Sequence, residues 1–471
     1  MKKINRFLEC IKRVLLKFFV ITFFLSQFNV TSAVATDYSD KKSIPILMST
    51  DNGYVYPTLV SMTSMVKNKK RDTFLKFNIM VSGDTSGENR KKFKEFGNIY
   101  SKDCSTKIID MGNRFKGVRG THFPPSAFYR LLASSHLKQY NKILYIDGDT
   151  LVRHDLSELF NTNIDNYYIA GVKDMGMADW ANSSAGKVNY ARKLGIKDMS
   201  QYINSGVILM NLKKMKKDRM EEKFLSYVRQ GRFLQYPDQE VFNSVCYGKI
   251  KLLSPIYNDL VFVLACYNYN RSWAYSDCCS EEEWKRIFYN PVIVHYAGGS
   301  KPWRKSNVKF YNEWNKFRKE IDNRLYKTIS DGIYTIESAV KNNMVLDISN
   351  SSRNNEANLQ LWDSNGTNAQ KFHVFHVGAG LYELAPMCSG KRVDVDHSGK
   401  SNGTNIWQWE ANGTDAQKWY INPVGNGYYN IVSKCNGLCL DVHGSQTEKG
   451  TNVWCYSKNG TNAQKFKFRA A

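Results

Sequence analysis

The last third of the chain repeats itself, and the repeat leaves few folds open to it. Asp347, Asp394 and Asp441 stand 47 residues apart, and the Asn-Gly-Thr triplets at 365–367, 412–414 and 459–461 keep the same period, as do Gln370, Gln417 and Gln464. Each unit is a run of short strands broken by Asn-Gly turns, too small to bury a core alone. Three copies predict one pseudo-three-fold all-β domain over residues 331–471.

The preceding residues follow another rhythm. Short β-branched or aromatic runs at Ile44–Ser49, Lys76–Val81, Lys142–Ile146, Tyr167–Val172, Gly206–Asn211 and Val292–Tyr296 alternate with helical patterns such as Ser126–Leu137 and Arg219–Arg229. Such alternation predicts an α/β layer fold with a largely parallel sheet. A length of 471 residues accommodates two such domains, the first over 36–325. The segment Arg318–Ser330 between them is charged and lacks a Pro/Gly run, which predicts a short, close junction.

The first 35 residues read as a secretory leader: Lys2, Lys3, Arg6, Lys12, Arg13 and Lys17, then the apolar run Phe18–Leu25, then Ala33-Val34-Ala35 with cleavage expected after Ala35. The alternative is an uncleaved anchor. Lys17 interrupts the stretch, and its apolar core is shorter than the roughly 18 residues a spanning helix needs, so the mature chain is expected to carry no spanning helix. Of the net charge of +23, the leader's six bases against Glu9 account for +5, leaving +18 for an exported chain. That excess suits an anionic cell surface, polymer or charged donor. It does not mark a nucleic-acid binder, because the bases are spread through helices and no nucleic-acid module is present. Ten cysteines become nine without Cys10, Cys278 and Cys279 are adjacent, and no Cys-x-x-Cys pair suggests zinc. Cys435, Cys439 and Cys455 are close enough in sequence to supply one local disulfide.

The first half carries a pattern of groups that can do chemistry. The strand Lys142–Ile146 runs straight into Asp147-Gly148-Asp149. Two carboxylates one residue apart at a strand's C-terminal end can both face one hard cation, at the edge where open α/β sheets bind ligands. Gly148 between them lets a bulky ligand approach the backbone. A second strand ends in His295, followed by Gly298-Gly299-Ser300-Lys301. His295 can complete an octahedral Mn²⁺ or Mg²⁺ site, and the glycine turn and Lys301 offer amides and a cation to a diphosphate.

Taken together, Ser49-Thr-Asp-Asn-Gly-Tyr54, Phe128-Tyr-Arg130, Leu144-Tyr-Ile-Asp-Gly-Asp149, Tyr202-Ile-Asn-Ser-Gly-Val207, Tyr236-Pro-Asp-Gln-Glu240 and His295-Tyr-Ala-Gly-Gly-Ser-Lys-Pro-Trp303 resemble glycosyltransferase family 8. The resemblance runs in order from Ile44 to Trp303. It implies a GT-A-type nucleotide-sugar fold in which Asp147, Asp149 and His295 hold manganese. It places Thr50, Asn52 and Tyr54 at the nucleoside, although Thr50 stands where relatives often carry Asp. Arg130, Gly298 and Lys301 match positions around the donor sugar and diphosphate, and Asp174, Asn204, Asp238 and Gln239 the pocket where donor sugar and acceptor meet. Breaking the bond from anomeric carbon to phosphate leaves a diphosphate, whose developing charge the metal and Lys301 would neutralise. Gln239, the family-matched group on the far face, is a poor nucleophile. Front-face attack is therefore expected, with a phosphate oxygen taking the acceptor proton and Asp174 and Asp238 orienting hydroxyls.

In the repeats, Gln370-Lys-Phe372, Gln417-Lys-Trp419 and Gln464-Lys-Phe466 resemble the Gln-x-Trp signature of ricin-type lectins, which form β-trefoils. Each unit also pairs an Asp with an aromatic fifteen residues on: Asp347 with Trp362, Asp394 with Trp409, Asp441 with Tyr456. A hydroxyl acceptor beside a flat apolar ring is what a shallow sugar site uses. Phe replaces Trp in the outer repeats, and Ala369, Ala416 and Ala463 replace an Asn that often helps bind sugar, so three weak sites would act by avidity. The Asn-Gly-Thr triplets also fit N-glycosylation sequons but are explained as turns. The leading expectation is an exported, retaining hexosyltransferase using UDP-galactose or UDP-glucose, steered to a glycan or glycoconjugate acceptor by its lectin half. Nucleotide sugars are scarce outside the cytoplasm, so the donor would be delivered there or met inside a host cell or secretory lumen. An adhesin with a vestigial transferase half and a toxin-like enzyme glycosylating host protein are the alternatives.

Overall fold

In the first half, seven strands form one sheet in the order β3-β2-β1-β4-β7-β6-β8. The computed structural model describes residues 42–118, 123–177, 185–231, 235–261 and 280–471. The leader, its cleavage point, Cys10, Cys278 and Cys279 lie outside these. The strands are β1 (Lys42–Thr50), β2 (Thr73–Val81), β3 (Cys104–Asp110), β4 (Ile143–Ile146), β6 (Ile169–Lys173), β7 (Ile203–Met210) and β8 (Ile250–Leu253). Every residue of β4 and β7 is buried, as expected of central strands covered on both faces. Helices α1 (Val55–Asn68), α2 (Gly87–Ile99), α3 (Met220–Arg229), α4 (Pro237–Val245) and α5 (Tyr311–Ile321) accompany them. The segment read as one helix over Ser126–Leu137 instead winds as a 3₁₀ helix over Pro125–Leu132, which follows Pro124, and makes a single α turn at Ala133–His136.

The sheet is less parallel than the alternation suggested. β1 with β4, β2 with β3 and β6 with β8 are parallel, but β7 runs antiparallel to both neighbours, β4 and β6. This reversal brings the start of β7 to the edge where β4 ends. Ile146 pairs with Val207, and the amide of Asp147 donates to the carbonyl of Gly206 at 2.8 Å. The predicted strand around His295 joins a small separate sheet, β5 (Thr150–Val152), β10 (Ile293–His295) and β9 (Asp259–Leu260), in which His295 is opposite Thr150 and beside Leu260. The antiparallel register of β5 and β10 thereby sets His295 next to Asp149.

The second half is a 12-stranded antiparallel assembly, four strands to each repeat: β11–β14 span Gly332–Gly378, β15–β18 Leu381–Gly425, and β19–β22 Tyr428–Ala470. Phe372, Trp419 and Phe466, the aromatic ends of the three Gln-x-aromatic signatures, are wholly buried together with Leu346, Leu384 and Leu440. The glutamines are staples. Gln370, Gln417 and Gln464 each donate to the carbonyl of Asp363, Glu410 or Ser457 at 2.9 Å, and accept from the amide of Asn365, Asn412 or Asn459 at 2.7–3.0 Å. Each staple pins an Asn-Gly-Thr turn whose glycine has φ of 72–76°, the left-handed region glycine enters without strain.

Three asparagines, again 47 residues apart, close a ring between the repeats. Asn358 donates to Asn452 at 2.8 Å, Asn452 to Asn405 at 3.0 Å, and Asn405 back to Asn358 at 3.0 Å.

The junction between the halves is close, as the linker composition predicted. After α5 the chain makes a wider π turn, and Asp322 there accepts from Tyr56 Oη of α1 at 2.7 Å, from Arg318 at 2.9 Å and from the Ala379 amide of the trefoil at 3.2 Å. Among the described residues Cys104, Cys246, Cys388, Cys435, Cys439 and Cys455 are free thiols, so the suggested local disulfide is not formed. No helix among them is long and apolar enough to cross a membrane.

Candidate active site and lectin sites

The edge where β4 ends and β7 begins opens into a cleft of about 670 Å³. Thr50, Tyr54, Arg130, Asp147, Asp149, Asp174, Asn204, Asp238, Gln239, His295, Gly298 and Lys301 all line it, which is every predicted donor-site residue except Asn52. Asn52 is exposed, and both ends of its amide are engaged elsewhere: it accepts from the Ser86 amide and from Asn89 at the start of α2 and donates to the Asp84 carbonyl. It anchors the loop before α2.

Asp147, Asp149 and His295 converge. Each offers one ligand atom, all within 4.8 Å of one another. His295 Nε2 is 3.3 Å from Asp149 Oδ1 and 3.8 Å from Asp147 Oδ2. Two carboxylate oxygens and one imidazole nitrogen form a donor set that fits Mn²⁺ or Mg²⁺. The other carboxylate oxygens are held from behind: Asp147 Oδ1 by Tyr145 Oη at 2.6 Å and Arg130 Nη2 at 2.8 Å, Asp149 Oδ2 by Lys301 Nζ. Burial alone would raise the Asp149 pKa, but His295 and Lys301 hold it well below the usual carboxylate range. For Lys301, burial opposes the charge, yet Asp149 and Tyr54 more than offset it and keep the amine charged.

Gly148 lines the cleft, but its lack of a side chain answers chiefly to packing: a β-carbon there would be 2.3 Å from Thr58 Oγ1 of α1. Arg130 is buried and stacks its guanidinium 4.0 Å from the Tyr145 ring centre. It bonds Asp147 and the Ser205 carbonyl and pairs with Asp238 at 3.1 Å, while its Nε has no partner among the described residues. Tyr54 meets Trp303 edge to face at 5.7 Å, leaving a third of its surface exposed beside Lys301.

At the other end, Asp238 and Gln239 occupy the first turn of α4, started by Pro237 at N1. Gln239 is fully engaged: Oε1 accepts from Asn204 Nδ2 and the Ser205 amide, both at 3.0 Å, and Nε2 donates to Asp174 Oδ2 at 3.1 Å. Burial raises the pKa of Asp174 and, against the pull of Arg130, that of Asp238. The sequence reading missed Asp51, Ser126, Ser205, Met177 and Tyr236, which also line the cleft. Asp51, Ser205 and Tyr236 lie inside the family-like motifs, so adjacency was the available signal.

In the trefoil the predicted Asp–aromatic pairing is displaced by two residues. The cross-strand partners of Asp347, Asp394 and Asp441 are Gln360, Trp407 and Trp454, which bond the carboxylates at 3.0, 3.1 and 3.0 Å. Trp362, Trp409 and Tyr456 instead pair with Val345, Arg392 and Cys439, diagonal to the acids on the same face. In the second and third repeats this makes two-ring surfaces, Trp407 with Trp409 at 5.7 Å and Trp454 with Tyr456 at 6.0 Å, flanked by His397 and His443. Period-2 alternation along the strand would have put both aromatics on one face.

Comparison with known proteins agrees with this geometry. Residues 45–307 match the family model described as glycosyl transferase family 8, and 316–409, 368–456 and 415–471 match one described as a ricin-type beta-trefoil lectin domain-like. General stress protein A of Bacillus subtilis is 23% identical, the match covering 57% of this chain and 94% of that protein. A lipopolysaccharide 1,2-glucosyltransferase of Escherichia coli is 24% identical over 56% of this chain and 74% of its own. The apo structure of the bifunctional glycosyltransferase WbbM superimposes with a TM-score of 0.51 at 21% identity, over 60% of this chain and 52% of that one, a likeness of fold.

Proposed function

The chain belongs to glycosyltransferase family 8, and from that premise we propose that it transfers a hexose, galactose or glucose, from a UDP-sugar to a glycan or glycoconjugate with retention of configuration. The observation that carries the reading is the convergence of Asp147, Asp149 and His295 at one end of a cleft whose other end holds Asp174, Asn204, Asp238 and Gln239. Asp147, Asp149 and His295 would hold a Mn²⁺ or Mg²⁺ ion, which would supply positive charge against the departing diphosphate. Lys301 adds a fixed cation there, and Gly298 leaves the backbone open to phosphate oxygens. Tyr54 and Thr50 cradle the nucleoside.

Gln239 does not attack. An amide is a poor nucleophile, and both its oxygen and its nitrogen are held by Asn204, Ser205 and Asp174. Retention therefore proceeds on the front face: the acceptor hydroxyl approaches on the side the diphosphate leaves, and a phosphate oxygen takes its proton. Asp174 and Asp238 orient sugar hydroxyls. The glucosyltransferase name of a relative supports a hexose donor. The trefoil binds glycan through Asp347 with Trp362, Asp394 with Trp409 and Asp441 with Tyr456, directing the enzyme to its acceptor. The N-terminal segment directs export, and the exported chain's basic charge favours an anionic cell surface.

The deciding experiment is hydrolysis of a panel of UDP-sugars by the purified chain, with and without Mn²⁺. Metal-dependent release of one hexose supports the proposal, and no release from any donor sinks it.

A further inference from the structure

A backbone amide in β7 determines which nitrogen of His295 carries a proton. The Gly206 N–H donates to the side chain of Asn204 at 2.9 Å. A backbone N–H can only donate, so the Asn204 atom facing it is the carbonyl oxygen, and the usual ambiguity between amide oxygen and nitrogen is removed. Asn258 reaches the same oxygen at 2.9 Å and must therefore present its NH₂ there. Its own oxygen then faces His295 Nδ1, 3.0 Å away. An amide oxygen accepts, so Nδ1 holds a proton, and Nε2 is the nitrogen left to offer a lone pair to a cation. Nε2 is the atom that faces Asp147 and Asp149.

The chain of bonds continues in the other direction. Asn204 Nδ2 donates to Gln239 Oε1 at 3.0 Å and to Asp174 Oδ2 at 3.3 Å. Asn258 is 2% exposed, so water does not compete for either end of its amide. No other uncharged side chain of this size offers the required pair of an acceptor toward histidine and a donor toward Asn204. Aspartate would meet the Asn204 oxygen with another oxygen, and alanine would leave both neighbours without a partner.

We infer that Asn258 is a positioning residue: it fixes His295 in the tautomer that ligates through Nε2 and joins it, through Asn204, to the sugar-facing side chains Gln239 and Asp174. The inference rests on the reading of Asp147, Asp149 and His295 as a cation site. Outer partners of this kind alter metal affinity by roughly 10- to 100-fold when removed.

The test is Mn²⁺ binding by the full chain, read from the electron paramagnetic resonance of the free ion, with thermal melts alongside. Asn258→Ala weakens Mn²⁺ binding about tenfold or more. Asn258→Asp, which still accepts from Nδ1, holds Mn²⁺ within about threefold of the parent, yet loses donor turnover because Asn204 is no longer bonded. Equal Mn²⁺ affinity in the parent and Asn258→Ala overturns the inference and leaves the cation site standing. A parent chain that binds no Mn²⁺ overturns the cation reading, and the inference falls with it. A measurement on the parent needs no variant to fold: in histidine ring ¹⁵N spectra titrated with Cd²⁺, the metal shifts an Nε2 whose partner Nδ1 is protonated. A Cd²⁺-shifted Nδ1 at His295 overturns the inference.

Discussion

Gly206 leaves the space that His295 fills: a β-carbon at position 206 would be 2.2 Å from His295 Cε1 and 2.9 Å from Asp147 Oδ2. Contacts under 3 Å force movement, and the two groups in the way are the candidate ligands themselves. Gly206→Ala is therefore expected to weaken Mn²⁺ binding by about tenfold or more while the trefoil's contribution to the melt is unchanged. Titration of Mn²⁺ against parent and variant decides it, and matching affinities would remove Gly206 from the account.

Lys301 is held between the Asp149 carboxylate and, at 2.6 Å, the Tyr296 carbonyl. If it neutralises the departing diphosphate, Lys301→Met should lower kcat by about 10²- to 10³-fold, the usual effect of losing one preorganised charge-stabilising donor. Lys301→Arg should recover only part, since a planar fork does not fit a site shaped for a compact ammonium. Steady-state kinetics with the preferred UDP-sugar would show this. A change confined to KM would assign Lys301 to binding alone.

Trp407 and Trp454 carry the indole N–H groups that bond Asp394 and Asp441, while the second rings are the half-buried Trp409 and the exposed Tyr456. Trp409→Ala and Tyr456→Ala should each reduce retention on galactose- or glucose-bearing resin by up to about tenfold with little loss of stability. Trp407→Phe and Trp454→Phe should instead lower domain stability by about 1–3 kcal/mol, by leaving a buried carboxylate short of a donor. Unchanged elution of all four variants would reduce these rings to packing.

At the junction, His376 Nε2 accepts from the Gly380 amide at 3.1 Å, and its Nδ1 is 3.8 Å from Asp322. Burial, then the nearby Lys327 and Arg318, bring its pKa down from 6.5 to about 4, against the opposing pull of Asp331. A histidine held neutral in the fold contributes stability that is fully present above its unfolded pKa and is lost as pH falls from 6.5 toward 4. The loss is at most about 3 kcal/mol, less whatever solvent screening removes. The parent should thus lose melting temperature over that window more steeply than His376→Gln. Parallel melting curves for the two would exclude the histidine.

Most of the architecture was legible because burial leaves a direct mark on composition. The runs at Ile44–Ser49, Lys142–Ile146 and Gly206–Asn211 became β1, β4 and β7, and the 47-residue period became three four-strand units. The direction of β7 was not legible, since a fully buried strand reads the same either way. The bonds of Asn52 to Asp84, Ser86 and Asn89 were not legible, because they join two loops 32 or more residues apart. The acids' direct cross-strand partners, Gln360, Trp407 and Trp454, were not legible because spacing along the chain does not fix cross-strand register. Asn258 left no sequence signal at all: its importance arises from Gly206, Asn204 and His295, which are brought together only by two different sheets.

The ring of Asn358, Asn405 and Asn452 has a bearing on how the lectin half can come and go. Each amide hands its hydrogen to the next in one rotational sense, so the circuit has no end until the third member arrives. Deleting any one unit strands a donor on one survivor and an acceptor on the other. A domain cut back to two units would therefore carry both orphans where three units carry neither.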